Sequence, residues 1–377
     1  MGPDVLQGAY IARLDLAAPH LAGVSRKIEA QRAALARAGF PTRLHSIHSG
    51  AIMCDSDVLR PAANGSVGRR MTHYNYFWRD TLSAVADADF LYIRFQGAGP
   101  GLLKMLSKFR RQRPEVPILM EIPTYPYKDE RRGVRQHLLG MVDDMCAPFL
   151  KHYVDRIVTF SSRNMIMGVS TIRTQNGVDV SKISVRPEND SHKTLRLVGV
   201  ANFAFWHGYD RVIEGLAQLE PTMRVKIAID FIGSGSELES LKTLARVRNV
   251  NEEICFHGPL SGSSLDQIMA RTHIGIGCLG LHRVTKETSD LKSREYCARG
   301  MPFLADKLEN DFQAVAGFVH VSPEDDSPID LIEVFDWYQR IRSEDRAATL
   351  RAHAEKHLSW DAKMEPVVAW MRRQIKE

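Results

Sequence analysis

The chain has 377 residues, 44% hydrophobic and 25% charged, which is too long for one ordinary core and excludes a disordered or fibrous protein. No apolar run approaches the roughly 18 residues of a membrane span, and the N-terminus shows no basic segment leading into an apolar one, so no secretory leader is expected. The net charge of +5 is uneven: residues 1–190 sum to +8 and residues 191–377 to −3, as for two domains with different partners.

The first half alternates short apolar runs with amphipathic ones. "GAYIARL" (8–14) predicts a strand, and "VSRKIEAQRAALARAG" a helix with Ile28 and Leu35 on its apolar stripe and Gly39 past its end. "FPTRLHSI", "DFLYIRF", "VPILMEI" and "DRIVTFS" read as further strands, with a basic helix over 102–113 and a last short strand at "ISVRP" (183–187). The polar "ENDSHK" (188–193) is the best linker. The alternation then restarts. "LRLVGVA", "VKIAIDFIG", "EICFHG" and "HIGIGCL" are strands, with helices at "YDRVIEGLAQL", "SELESLKTLARV" and "SSLDQIMART" between them. Two such series predict an α/β chain of two Rossmann-like, doubly wound parallel-sheet domains, each with its functional edge at the carboxyl ends of its strands. The boundaries fall at 1–187 and 188–359, and an amphipathic helix at 360–377 returns to brace the first domain.

Five dispersed cysteines (Cys54, Cys146, Cys255, Cys278, Cys297), with no CxxC pair, fit reduced thiols in the cytoplasm better than disulfides or a zinc site. The basic residues gather in "KMLSKFRRQR" (104–113) and "RRGVRQH" (131–137). They lack interleaved aromatic platforms and any nucleic-acid motif, which argues against nucleic acid as a partner. An anionic membrane face and a plain solvated surface both remain open. The first rests on Leu102, Leu103, Met105 and Phe109 sharing a helix with Lys104, Lys108, Arg110 and Arg111.

Four segments of the second half, "VGVANFAFWHGYDRVIEGL", "FIGSGSELESL", "IGIGCLGLHR" and "KETSDLKSREYCARGMPF", occur in this order. Together they resemble the second domain of retaining family 4 (group 1) glycosyltransferases, narrowly over residues 195–305. The capsule, exopolysaccharide and O-antigen enzymes of bacteria are the nearest kind. The first domain resembles the family more loosely, through "AGVSRKI", "EIPTYPY" and "DRIVTFS". The resemblance implies the GT-B architecture, two Rossmann-like domains facing across a cleft that holds the ligand. It implies a nucleotide sugar, UDP- or GDP-linked, as donor and a glycan or lipid-linked glycan as acceptor. No metal or other cofactor is expected. The location implied is cytoplasmic, or peripheral on the inner face of the plasma membrane if the basic cluster docks there.

Glu287 and Glu295 match the family's pair of glutamates eight residues apart. On one helix they would stand roughly 80° apart, a poor arrangement for one ligand. With Glu287 in a loop and Glu295 inside the next helix, both could reach one ligand at the helix N-terminus. By resemblance Glu287 touches hydroxyls of the donated sugar and Glu295 those of the ribose. Ser289 or Asp290 caps the helix, and amides near Asp290, Leu291 and Lys292 meet the diphosphate. The family's Arg and Lys in the loop after the first strand of this domain are missing here. His207 stands where the Lys would, and Lys292 is the best substitute, ahead of Arg294. Asn202, Gly208, Gly233 and Gly235 are further donor-side candidates, while His257 and Gly258 border the nucleobase in the family. Phe205 and Trp206 read as packing under the loop rather than as a sugar platform. In the first domain, Gly23 lets a helix N-terminus approach the donor phosphate or the acceptor, and Glu121, Thr124 and Tyr125 line the acceptor side.

Other readings are a GT-B sugar-nucleotide epimerase and a non-catalytic polysaccharide-assembly subunit. A NAD-dependent dehydrogenase is opposed by "VGVANFAFWHG", which is no GxGxxG fingerprint.

Overall fold

The computed structural model describes residues 6–63, 65, 76–123, 125–126, 134–187, 194–284, 290–342 and 345–375. They divide into two compact units, 1–175 with 363–377, and 176–362.

The first unit is built on a nine-stranded sheet ordered β4-β3-β2-β1-β5-β6-β7-β9-β8. Its strands are β1 (Gly8–Asp15), β2 (Thr42–His48), β3 (Ala51–Cys54), β4 (Asp57–Arg60), β5 (Leu91–Arg94), β6 (Ile118–Ile122), β7 (Arg156–Thr159), β8 (Met165–Ile166) and β9 (Val169–Arg173). Strands β2, β1, β5, β6, β7 and β9 run parallel, and β3, β4 and β8 are antiparallel additions at the edges. The edge pieces carry no long apolar run, which is why the alternation read from the sequence passes over them. Helices α1 (Ala22–Arg37), α2 (Pro100–Gln112) and α3 (Val134–Cys146) belong to this unit. One face of the sheet, with Ala9, Ile11, Leu91, Ile93, Ile118 and Met120, builds an apolar core.

Helix α2 corrects the interfacial expectation. Leu102, Met105, Leu106 and Phe109 are buried in that core, so no apolar stripe is left for a lipid surface. Arg110 is a structural residue: it donates to the Tyr153, Pro114 and Val116 carbonyls and pairs with Asp155 at 2.8 Å. Lys104, Lys108 and Arg111 remain exposed. Residues 131–133 of the second basic cluster lie outside the described residues.

The second unit holds a six-stranded, all-parallel sheet ordered β12-β11-β10-β13-β14-β15. Its strands are β10 (Leu195–Phe203), β11 (Ile227–Gly235), β12 (Ile254–Phe256), β13 (Ile274–Ile276), β14 (Phe303–Ala305) and β15 (Val319–Val321). In chain order this is 3-2-1-4-5-6, the dinucleotide-fold order, with its reversal between β10 and β13. Both faces are covered, as a parallel sheet requires. Leu197, Ile229 and Phe231 enter one core, and Val198 and Ile232 enter the other. Helices α4 (Tyr209–Ala217), α5 (Leu238–Val247), α6 (Ser263–Arg271), α7 (Leu291–Ala298), α8 (Leu331–Arg340) and α9 (Arg346–His353) flank the sheet. Helix α10 (Trp360–Gln374) carries the chain back to the first unit.

Residues 183–187 form no strand. Val178 and Val180 sit in a core of the second unit, and the Arg186 amide donates to the Arg299 carbonyl at 2.8 Å. The described division therefore precedes the polar stretch 188–193, which lies outside the described residues.

Candidate active site

In a doubly wound sheet, ligands meet the crevice outside the carboxyl ends of the strands where the order reverses. Here that place lies beyond β10 and β13. After β10 the chain makes one short turn, Phe205–His207, and enters α4 through Gly208 at φ 66°. The Leu279 amide, just past β13, donates to the His207 carbonyl at 3.0 Å, joining the two loops. Arg211, wholly buried in α4, donates to the carbonyls of Leu279, Ser327 and Pro323. Arg283 donates to the Phe205 carbonyl at 2.8 Å and forks onto Asp210 at 2.9 and 2.7 Å. Sequence reading passed over both arginines, since nothing local marks an arginine that serves distant carbonyls.

The His207 ring is buried, and its Nδ1 accepts the Ala204 amide hydrogen at 3.0 Å. Burial, reinforced by the charge of Lys292, lowers its pKa to about 4. The ring is neutral near pH 7 with its proton on Nε2, so it supplies a hydrogen bond there but not the charge of the missing lysine.

That charge stands on α7. Asp290 is its N-cap: Oδ1 accepts the Lys292 amide at 3.3 Å and Oδ2 the Ser293 hydroxyl at 2.8 Å. The Lys292 ammonium lies 3.2 Å from Asp290 Oδ1 and 3.1 Å from Cys278 Sγ, at the end of β13. Burial opposes its charge, but Asp290 together with Cys278 and Tyr209 outweighs burial and holds the pKa well above the lysine range. Asp290 is thus an internal counter-ion and cap, and it occupies the Lys292 amide that was expected to be open to a diphosphate. Arg294 points the other way. It is fully buried, pairs with Glu309 at 2.9 Å and Asp311 at 2.5 Å, and is no substitute for the missing arginine. Leu291 and Glu295 are exposed one turn apart on the open face of α7. Glu287 and Ser289 lie outside the described residues.

Residues 181–309, which include both loops and helix α7, match the family model of glycosyl transferases group 1. That stretch is a glycosyl transferases group 1 domain. No curated protein sequence matches it. Among solved structures it is similar to a sucrose-phosphate synthase from Thermosynechococcus elongatus, with 13% identity over 98% of both chains and a TM-score of 0.59. A glycosyltransferase from Rickettsia africae ESF-5 shares 11% identity over 99% of this chain and 100% of that one, at 0.57. WaaG, a glycosyltransferase involved in lipopolysaccharide biosynthesis, shares 14% over 98% and 100%, at 0.55. At such identities the likeness concerns fold alone, and that fold is GT-B.

The other donor-side residues separate by what occupies them. Gly233 and Gly235 form no turn before a helix; they extend β11 and pair with Ala201 and Phe203. A Cβ at Gly233 would stand 1.8 Å from the Ala201 carbonyl oxygen, so the β10 backbone already accounts for this glycine. Asn202 is exposed at the end of β10, and Gly258 accepts the Gly233 amide hydrogen at 2.8 Å. The His257 ring is held by Asp230, with Nε2 2.6 Å from Oδ1. Phe205 and Trp206 are 46% and 37% exposed and stack edge-on against each other, so they do not pack under the loop.

In the first unit, Glu121 is wholly buried on the sheet face beneath α1. Lys27 reaches it at 2.9 Å, Arg94 at 3.1 Å, the Tyr10 hydroxyl at 3.2 Å and the Tyr92 hydroxyl at 3.5 Å. Burial alone would raise its pKa, but Lys27 and Arg94 outweigh it and bring Glu121 down to about 2. Burial pushes Lys27 down to about 8 in spite of Glu121. The carboxylate therefore ties α1 to the sheet and is closed to an acceptor, which corrects its assignment. Gly23 lies in the first turn of α1, exposed, with nothing within 4 Å of the position a Cβ would take. Tyr125 is half-buried and lines a depression with Pro126, Ala147, Pro148, Lys151 and Met167. Thr124 lies outside the described residues.

Proposed function

We propose that the chain is a retaining glycosyltransferase that moves a hexose-type sugar from a UDP- or GDP-linked donor to a hydroxyl of a glycan or lipid-linked glycan, in cytoplasmic synthesis of a bacterial surface polysaccharide. The second unit binds the donor and the first the acceptor. The observation that carries this reading is Lys292, a lysine kept charged by its own counter-ion at the sheet's reversal point, within the stretch that matches the family. In the reaction the bond from the anomeric carbon to the diphosphate oxygen breaks. The acceptor hydroxyl bonds to the same face of that carbon, and its proton passes to the departing phosphate. The developing phosphate charge needs fixed positive partners. Lys292, the Nε2–H of His207 and backbone amides of the two loops supply them, so no divalent metal is required. Glu295 accepts the ribose hydroxyls, Glu287 those of the transferred sugar, and Leu291, Asn202, Gly208 and Gly258 line the donor. Gly23 gives the phosphate or acceptor room at α1, and Thr124 and Tyr125 stay on the acceptor side. Contact with an anionic membrane face would rest on Lys104, Lys108 and Arg111 by charge alone and would be released by salt.

Thermal unfolding with UDP, GDP, CMP and dTDP tests the donor site, because a ligand bound only to the folded state stabilises it by mass action. One nucleoside diphosphate should raise the midpoint in EDTA, and Glu295→Ala should remove most of that shift while leaving the apo midpoint in place. No shift with any nucleotide, or a strict need for Mg²⁺ or Mn²⁺, would overturn the reading. Conversion of donor alone to an epimerised sugar would replace it with the epimerase.

A further inference from the structure

At the β12 edge of the second sheet, side chains from β11, β12 and the residue just past β12 stand in line. The ladder pairs Asp230 of β11 with Cys255 of β12, and His257 follows two residues on, so all three project from one face. Cys255 is exposed, with Sγ 3.8 Å from His257 Nδ1. On the far side of the imidazole, Nε2 is 2.6 Å from Asp230 Oδ1. Asp230 is only 2% exposed, and its Oδ2 has no hydrogen-bond partner. Among the described residues, the charged groups within ion-pair distance of the set are Arg271 of α6, 3.2 Å from Oδ1, and Arg196 of β10, 3.9 Å from Oδ2.

We infer that Cys255 is a reactive-thiol site, with His257 as its base and Asp230 holding that base, and that it takes soft electrophiles, above all low-molecular-weight disulfides. A thiol becomes nucleophilic when a neighbouring base removes its proton and nearby cations stabilise the thiolate. His257 is placed to take the Cys255 proton on Nδ1. The buried carboxylate, with one oxygen uncommitted to any hydrogen bond, then stabilises the imidazolium through Nε2–H. The two guanidiniums beside Asp230 oppose a divalent cation among the same three groups. The other cysteines make poor competitors. Cys54, Cys278 and Cys297 are buried, burial pushes the thiols of Cys278 and Cys297 up to about 12, and Cys146 is half-buried. In the exchange, the Cys255 thiolate attacks one sulfur of the disulfide. A new S–S bond forms as the old one breaks, and the leaving thiolate takes the proton from His257. No further oxidant is needed.

The test uses the full chain, limited iodoacetamide labelling between pH 5 and 9, and peptide mass mapping. Cys255 should be labelled first, and at pH 6 faster than free glutathione under the same conditions. His257→Gln should slow its labelling at pH 6 about tenfold, the factor that one pH unit of thiolate fraction represents. Oxidised glutathione should leave a mixed disulfide on Cys255 alone. Where His257→Gln does not fold, the wild-type rate at pH 6 and Asp230→Asn, which should also slow it, decide. A rate at pH 6 no faster than that of glutathione, no response to either variant, or faster labelling of Cys146 would overturn the assignment. Protection of Cys255 by equimolar zinc chloride would replace it with a metal site. None of these readouts depends on sugar transfer, so this inference and the donor reading fail separately.

Discussion

Lys292 and Arg294 are two residues apart in one helix, yet their roles diverge because two helical steps rotate a side chain by roughly 200°. Arg294 turns inward to Glu309 and Asp311, and Lys292 turns toward Cys278 and the sheet edge. Only the second can serve a ligand. Breaking one half of a buried ion pair costs about 3–5 kcal/mol, because the remaining charge stays buried without its partner. Lys292→Met should therefore lower the denaturant midpoint sharply as well as abolish transfer. Asp290→Asn combined with Lys292→Met keeps a capping side chain and removes the stranded charge. The double variant should regain most of the stability while its affinity for the preferred nucleoside diphosphate stays low by calorimetry. Wild-type affinity in the refolded double variant would take Lys292 out of the donor site.

At the scale of elements, the site is two loops locked edge to edge. Gly208 is the contact point: its φ is 66°, and a Cβ there would stand 2.6 Å from the Leu279 carbonyl carbon and 2.8 Å from the Gly280 nitrogen. Gly208→Ala must either push the loop after β10 away from the loop after β13 or strain its own backbone, at a cost of about 1–3 kcal/mol. We expect a lower urea midpoint at an unchanged m-value, with weaker nucleotide binding as His207 and Lys292 move apart. Unaltered binding would mean that the two loops do not act as one surface. Little of this was legible in the chain, because "FWHGYD" and "GCLGLH" carry no local mark of their pairing across some seventy residues.

Each unit of the whole molecule has its own core, but the first is completed from the far end of the chain. Val367, Val368, Trp370 and Met371 of α10 are buried, Thr174 donates through its hydroxyl to the Lys363 carbonyl, and the Arg156 guanidinium lies 5.5 Å from the centre of the Trp370 ring. Four such side chains represent on the order of 6 kcal/mol of apolar burial. A chain ending at Ala362 should thus show a destabilised first unit in scanning calorimetry, while the preferred nucleotide still raises the transition of the second. An unchanged profile would mean that the segment adds no stability.

The sequence by itself determined the α/β class and the order of the main strands and helices. A parallel strand buried on both faces must be an apolar run, and an amphipathic helix must show its period within a dozen residues. It also carried the family resemblance of residues 195–305, where four short motifs stand in order. Tertiary structure alone decided what each polar group faces. Glu121 looked like a site carboxylate at a strand end, and the helix packed above it made it a buried anchor. His207 stood at the place of a lysine, and burial left it neutral. Asp230 and His257 are far apart in sequence, and only the pairing of β11 with β12 joins them to Cys255. Periodicity is a local property of the chain; ion pairs, buried carboxylates and the choice between two neighbouring cations depend on strand register and helix packing, which are not.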